Sequence, residues 1–213
     1  MNFDTFLNAI SKIKNIPLPG EASQFKMSPP FRVELLKRQK AAIKNPKRAG
    51  VLALFYPDEN QVTKLILILR KTYNGVHSAQ VGFPGGKLEA QDDSYEMAAV
   101  RETYEEVGVP IQDIEVLKSL TEVYIPPSNF YVSPFIGICR STPKFIKEES
   151  EVEALIEVSL VHFMDDAALI SKIVKTSYSV KVEVPAYKLN GYIVWGATAM
   201  MLSEIKDLLK QML

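Results

Sequence analysis

Apolar residues recur along this chain with two periods, which predict helices near both ends and buried strands between them. A helical period near the start is formed by Phe3, Phe6, Leu7, Ile10 and Ile13. This spacing predicts a packed helix. The runs 50–56 and 63–69 are almost continuously apolar, as expected for strands that are buried on both faces of a sheet.

The remaining pattern continues the alternation of strands and helices. Further strands are predicted at about 113–124, 130–139 and 173–189. A second amphipathic helix is predicted over 197–213. Strands that are interrupted by one helix and closed by another favour an α/β fold with three layers, α/β/α.

The first 47 residues have a different character from the rest. Residues 17–30 predict a proline-bearing loop, and residues 33–48 predict a basic helix that leads into the domain. We therefore expect an N-terminal helical extension over 1–47 and a single domain over 48–213.

The stretch 80–109 carries the most specific functional signal. It reads QVGFPGGKLEAQDDSYEMAAVRETYEEVGV, and a helix is predicted over about 94–107. Asp93 is the expected N-cap because Glu96 follows it at capping-box spacing. Gly108 stands where a left-handed C-terminal cap is expected.

One side of this helix is expected to pack and the other to carry acids. At about 100° per residue, the apolar side comprises Met97, Val100, Tyr104 and Val107. The opposite side comprises Glu102, Glu105 and Glu106. Like charges at these spacings repel one another, and a hard divalent cation would relieve the repulsion. A solvated acidic face is the alternative that these acids alone leave open.

Gly85 and Gly86 precede the helix, and glycine allows the backbone to lie close to a phosphate or a metal. With them the segment resembles the Nudix box, the loop-helix-loop motif of Nudix hydrolases. The matching positions are Gly86, Arg101, Glu102, Glu105, Glu106, Gly108 and Val109. The chain departs from the box in a longer gap before Arg101, in an aspartate instead of the early glutamate, and in Thr103 at an aliphatic position.

The longer gap and the aspartate resemble the coenzyme A pyrophosphatase branch of that family. Upstream, this chain shares with the branch Leu67, Arg70, His77, Gln80, Val81, Phe83, Pro84, Gly85 and Gly86. It departs from the branch at Ile68, Lys71, Gly75 and Ala79. The resemblance implies a three-layer α/β/α Nudix sandwich with a mixed central sheet, and it covers nearly everything after residue 48.

The resemblance also implies an activity, the hydrolysis of a diphosphate linkage with Mg²⁺ or Mn²⁺ as cofactor. It implies Glu102 and Glu106 as metal ligands and Glu105 as a third ligand or a general base. Arg101 is expected to orient Glu105 or another carboxylate, because its planar fork of donors suits that group. Glu151, in the charged loop 144–153, is either a catalytic base or a solvated acid.

Asp92 and Asp93 each carry two interpretations, as a helix cap or as a partner for Arg101 in place of the missing glutamate. The cap is favoured for Asp93.

Substrate binding is expected at the residues shared with the branch, Arg70, His77, Gly85 and Gly86. For His77, a core or capping role is the alternative. The expected substrate is coenzyme A or an acyl-CoA, with ADP-ribose, dinucleotides and nucleotide sugars as alternatives. A Nudix fold that binds a nucleotide metabolite without hydrolysing it is a further alternative.

Composition limits the other classes of function. Lys plus Arg and Asp plus Glu both number 25, so no basic field that attracts nucleic acid is expected. The single Cys139 excludes an internal disulfide and is expected to be an inert buried thiol. The sequence shows no secretory segment and no apolar run of membrane-spanning length. We therefore expect a cytoplasmic protein that acts on a small molecule, with a homodimer as a possible assembly.

Overall fold

A central β-sheet organises the chain. The computed structural model describes residues 1–29, 45–72, 79–175 and 181–213. Within these residues the central sheet consists of β1 (Lys47–Pro57), β2 (Thr63–Arg70), β3 (Val81–Gly82), β4 (Gly85–Lys87), β5 (Ile114–Ser119), β6 (Val123–Ile125), β7 (Phe130–Cys139) and β8 (Val152–Ser159). A smaller sheet consists of β9 (Leu169–Lys175), β10 (Lys181–Leu189) and β11 (Tyr192–Val194). The helices are α1 (Phe3–Ile10), α2 (Glu21–Gln24), α3 (Tyr95–Val107), α4 (Leu160–Met164) and α5 (Gly196–Leu209).

Strand β1 lies at the centre of the large sheet. It pairs in parallel with β7 and antiparallel with both β2 and β4. The main path runs β3–β2–β1–β7–β5, with β8 added to β2 and β6 to β7. The predicted mixed sheet is therefore confirmed.

Side chains of β1 alternate between two hydrophobic cores, because successive residues of a strand point to opposite faces. Leu52, Leu54 and Tyr56 pack on the face that is covered by α3. Ala53 and Phe55 pack on the other face, against α1 and α5. The three-layer α/β/α arrangement is thus confirmed. Strands β1 and β2 are buried on both faces of the sheet, as predicted.

The N-terminal helix is part of the main core. Phe3, Phe6 and Ile10 of α1 are buried together with residues of β1 and β2. The Phe3 amide also donates to the Gln61 carbonyl oxygen at 2.8 Å. The boundary at residue 47 stays a prediction, but α1 shares one hydrophobic core with the rest of the chain.

The structure corrects three of the predicted segments. The expected loop 17–30 contains α2 and a 3₁₀ turn at Phe25–Met27, and Gln24 at the end of α2 donates a hydrogen bond to the buried Glu204. The strand expected at 113–124 is broken between β5 and β6, where Thr121 turns towards the same carboxylate. The strand expected at 173–189 is two antiparallel strands, β9 and β10.

The basic helix expected over 33–48 lies mostly outside the described residues, and its last two residues belong to β1. The C-terminal helix is confirmed as α5. No described helix combines the length and the apolar character needed to cross a bilayer.

Gly50 sets how closely α3 approaches β1. A methyl group at this position would lie 1.9 Å from the Tyr95 carbonyl oxygen, so Gly50→Ala would push the helix away from the sheet. We expect the free energy of unfolding to fall by about 1–3 kcal/mol or more, as measured by urea denaturation. Gly82→Ala is the control, because among the described residues its methyl group would meet no atom nearer than 3.9 Å. Equal destabilisation by the two substitutions would contradict this prediction.

Candidate active site

Helix α3 carries the acidic residues, and Ser94 and Gly108 cap its two ends. The Ser94 hydroxyl oxygen accepts from the Met97 amide at 3.1 Å, so Ser94 is the N-cap. The prediction of Asp93 as the cap is wrong by one residue, because Ser94 directly precedes the first helical residue and adopts the extended backbone of a cap. Gly108 adopts φ +79° and ends the helix as predicted.

The side of α3 that packs differs from the prediction. Met97 and Tyr104 are 46% and 51% exposed, so the expected apolar face is wrong at these two positions. Of its other members, Val107 is buried and Val100 is half-buried. The buried side is instead formed mainly by Ala98, Ala99, Thr103 and Glu106. Small side chains are required there because the helix lies directly on the backbone of Gly50.

The absence of a side chain at Gly86 allows the carboxylate of Glu102 to lie close to the backbone. A methyl group at Gly86 would lie 2.1 Å from Glu102 Oε1, so the carboxylate lies directly against the backbone of β4. Burial raises the pKa of Glu102, and the nearby guanidinium of Arg101 opposes that rise. The glycine turn and the acidic helix are thus in contact, as their order in the sequence suggested.

Glu106 is the most deeply buried acid of α3, with 1% of the residue exposed. Its Oε2 accepts from the Gly85 amide at 2.8 Å, and its Oε1 lies 3.1 Å from Arg70 Nη1. Within the part of the chain that the structure describes, Oε1 has no hydrogen-bond partner despite its burial. Burial raises the pKa of Glu106 to about 7, although the charge of Arg70 and the Gly85 N–H oppose this rise.

Arg101 connects Asp92 to the acids of the helix. Its Nε and Nη2 donate to Asp92 at 3.0 and 2.9 Å, and Nη2 also donates to the Lys87 carbonyl oxygen. Its Nη1 donates to Glu105 at 2.8 Å and lies 3.2 Å from Glu102. Asp92 is therefore paired with Arg101, and Arg101 also pairs with Glu105.

The other expected site residues differ in how they relate to the pair Glu102 and Glu106. Glu105 has a side chain that is 50% exposed, so it faces solvent beside the buried pair. Glu151 precedes β8, and its charge contributes to the raised pKa values of both Glu102 and Glu106. His77 lies outside the described residues.

Gly50 was not predicted to matter for the site, although a glycine at the start of an apolar strand indicates a close backbone approach.

Two acids of α3, Glu102 and Glu106, are placed so that they could bind one divalent cation. Among residues 1–29, 45–72, 79–175 and 181–213, no three His, Cys, Asp or Glu side chains are close enough to enclose a metal ion. Glu102 and Glu106 nevertheless lie one helical turn apart beside the same turn. The buried oxygen of Glu106 lacks a hydrogen bond, and carboxylate oxygens are the donors that Mg²⁺ and Mn²⁺ prefer.

A family model described as the NUDIX domain matches residues 46–172. The chain belongs to the Nudix family. Nudix hydrolase 15, mitochondrial, of Arabidopsis thaliana is 37% identical over 123 residues, which cover 57% of this chain and 43% of that protein. The peroxisomal coenzyme A diphosphatase ndx-8 of Caenorhabditis elegans is 28% identical over 155 residues, 72% of this chain and 64% of that protein. The matched region thus spans less than two thirds of either relative.

A third relative and two solved structures extend the comparison with Nudix proteins. The uncharacterized Nudix hydrolase NudL of Enterobacter is 30% identical over 180 residues, 82% of this chain and 89% of that protein. The Nudix hydrolase RenU from M. smegmatis has a TM-score of 0.55 at 16% identity, covering 79% of this chain and 88% of that chain. A MutT/nudix family protein from Enterococcus faecalis has a TM-score of 0.52 at 16% identity, covering 92% and 76%. At this identity the two structures show the shared fold alone.

Asp92 is expected to make stability depend on pH in acid. Its hydrogen bonds with Arg101 lower its pKa, so its contribution is present above the unfolded pKa of about 3.9 and is lost as the pH falls through the folded pKa. Asp92→Asn should lower the free energy of unfolding at pH 7 by about 1 kcal/mol. The difference from wild type should shrink below about pH 4, as followed by urea denaturation at several pH values.

Asp93→Asn is the matched control, because Asp93 is exposed and adjacent to Asp92. A stability difference for Asp92→Asn that stays constant down to about pH 2 would refute the pairing as its cause.

Proposed function

We propose that this Nudix protein hydrolyses a diphosphate linkage with the help of Mg²⁺ or Mn²⁺. The observation that carries the proposal is the buried Oε1 of Glu106, which lacks a hydrogen bond. Burying a carboxylate is costly unless nearby charge compensates it. Arg70 Nη1 lies 3.1 Å from Oε1 without forming a hydrogen bond, so this oxygen retains lone pairs for a divalent cation. Glu102 lies beside it against the backbone of Gly86, so two acids are available to one cation.

We infer the roles of the residues from these positions. Glu102 and Glu106 would hold the metal, and Gly85 and Gly86 leave room for phosphate to approach the backbone. A bound divalent cation neutralises phosphate charge and lowers the pKa of a bound water. Glu105 is exposed and oriented by Arg101, so it is the group best placed to accept a proton from the attacking water or to add a third ligand. Glu151 is the second candidate for the base.

Coenzyme A or an acyl-CoA is the substrate that we propose, with 3',5'-ADP and phosphopantetheine or its acyl form as products. Support comes from the partial coenzyme A motif between Leu67 and Gly86, and from the similarity to a relative that is named a coenzyme A diphosphatase. ADP-ribose, dinucleotides and nucleotide sugars are the alternative substrates, because the motif is incomplete at Ile68, Lys71, Gly75 and Ala79.

A Nudix regulator that binds a nucleotide metabolite without hydrolysis is the second candidate function. Loss of the box acids would favour it. Here Arg101, Glu102, Glu105 and Glu106 are all present. Arg101 pairs with Glu102 and Glu105, and Glu106 contacts Gly85 and Arg70. The catalytic proposal is therefore the stronger one.

A substrate panel tests the activity. Purified protein with Mg²⁺ or Mn²⁺ is incubated with coenzyme A, acyl-CoA, ADP-ribose, a dinucleoside polyphosphate and a nucleotide sugar, and the products are identified by mass spectrometry. We expect release of 3',5'-ADP from coenzyme A, and no release when the metal is removed with a chelator. Tight binding without turnover of any member would instead favour the regulator.

Glu106→Gln tests the assignment of the metal ligand. The amide keeps the shape and can still accept from the Gly85 N–H, but it removes the charge that a cation needs. We expect kcat to fall by about 100-fold or more. The far-ultraviolet circular dichroism spectrum should be unchanged, because the fold is retained. Glu96→Gln is the control because Glu96 lies on the exposed side of the same helix, and it should retain wild-type rates. Normal hydrolysis by Glu106→Gln would refute the assignment.

A further inference from the structure

Arg70 ends β2 at an irregularity of the sheet. The pairing of β2 with β8 shifts in register between Leu69 and Arg70. Such a bulge re-aims the side chain of the affected residue. The guanidinium group consequently reaches the first residue of β4 and the last turn of α3, and the side chain is only 26% exposed.

Arg70, Gly85 and Glu106 form a closed ring of three contacts. Arg70 Nη2 donates to the Gly85 carbonyl oxygen at 2.7 Å. The Gly85 amide donates to Glu106 Oε2 at 2.8 Å, and Glu106 Oε1 lies 3.1 Å from Arg70 Nη1. Each member of the ring therefore fixes the other two.

Within the described residues, the Arg70 side chain contacts groups that belong to the framework of the site. One is a main-chain carbonyl, and the other is a carboxylate with a side chain that is 2% exposed. A planar guanidinium suits two acceptors at a fixed spacing. The ion pair with Glu106 is not aligned as a hydrogen bond, so it holds the carboxylate in place and leaves lone pairs of Oε1 available.

We propose that Arg70 is a positioning residue, which holds the metal-binding carboxylate of Glu106 and the turn at Gly85 rather than contacting substrate. The proposal rests on the proposed function in one respect, that Glu106 is a metal ligand. It differs from the expectation that Arg70 binds substrate. Without Arg70, the Gly85 carbonyl loses its donor and the Glu106 carboxylate loses one of its two restraints.

The test measures Mn²⁺ binding to the intact chain without substrate, by the loss of the free Mn²⁺ signal in electron paramagnetic resonance. Arg70→Gln should weaken binding by about 10-fold or more, the range found when a group that orients a ligand is removed. Arg70→Lys should weaken it less, because an ammonium group can satisfy one of the two acceptors. Arg140→Gln is the matched control, since Arg140 forms an exposed ion pair with Glu115, and it should bind as wild type.

Steady-state kinetics at saturating Mn²⁺ separate positioning from substrate contact. Positioning predicts a reduced kcat with a substrate KM within about 3-fold of wild type. Wild-type Mn²⁺ affinity together with a raised KM would overturn the proposal and make Arg70 a substrate contact. Failure of the wild-type protein to bind Mn²⁺ would overturn it as well.

The binding measurement also keeps this inference distinct from the proposed activity. If Mn²⁺ binds and Arg70→Gln weakens it while no diphosphate is hydrolysed, the proposed activity fails and the role of Arg70 stands. If thermal denaturation shows that Arg70→Gln does not fold, the comparison of Arg70→Lys with wild type decides the question, and equal Mn²⁺ affinities would overturn the proposal.

Discussion

The burial of Glu106 is the constraint on which the site depends. A carboxylate that is withdrawn from water costs free energy unless hydrogen bonds and opposite charges compensate it. Here one oxygen receives the Gly85 amide and the other faces Arg70. Those partners come from β4 and β2, so the compensation fixes the helix, the glycine turn and the end of a central strand relative to one another.

Two glycines make this burial possible. Gly50 lets α3 lie on the backbone of β1, and Gly86 lets Glu102 lie on the backbone of β4. A helix this close to a sheet can present only small or compact side chains at the contact, which is why Ala98 and Ala99 are buried while Met97 is exposed. The close approach thus decides which residues of α3 form the core.

The opposite layer supports the same strands from the other face. Thr198 of α5 donates to the Val81 carbonyl oxygen at 3.0 Å, directly before the turn that carries the site. Farther along α5, the fully buried Glu204 accepts from Gly20, Gln24 and Thr121. The C-terminal helix therefore ties the N-terminal segment and the β5–β6 connection to the sheet, although these are distant in sequence.

Local signals in the sequence were enough to predict several parts of this protein. The apolar runs of β1 and β2 predicted strands buried on two faces, Gly108 predicted the end of α3, and the order of glycines and acids predicted the family. These features depend on neighbouring residues or on a short motif, so their physical causes are present in the sequence itself.

Tertiary structure decided the rest. Periodicity placed Met97 and Tyr104 in the core, but the approach of α3 to Gly50 turned that side to solvent, because steric exclusion by a distant backbone outweighs side-chain hydrophobicity. Helical spacing also grouped Glu102, Glu105 and Glu106 as equals. Only the fold buried Glu106 in a ring with Gly85 and Arg70, while Glu105 pairs with Arg101 near the surface. The burial and pairing of a charge depend on residues that are brought together from separate strands.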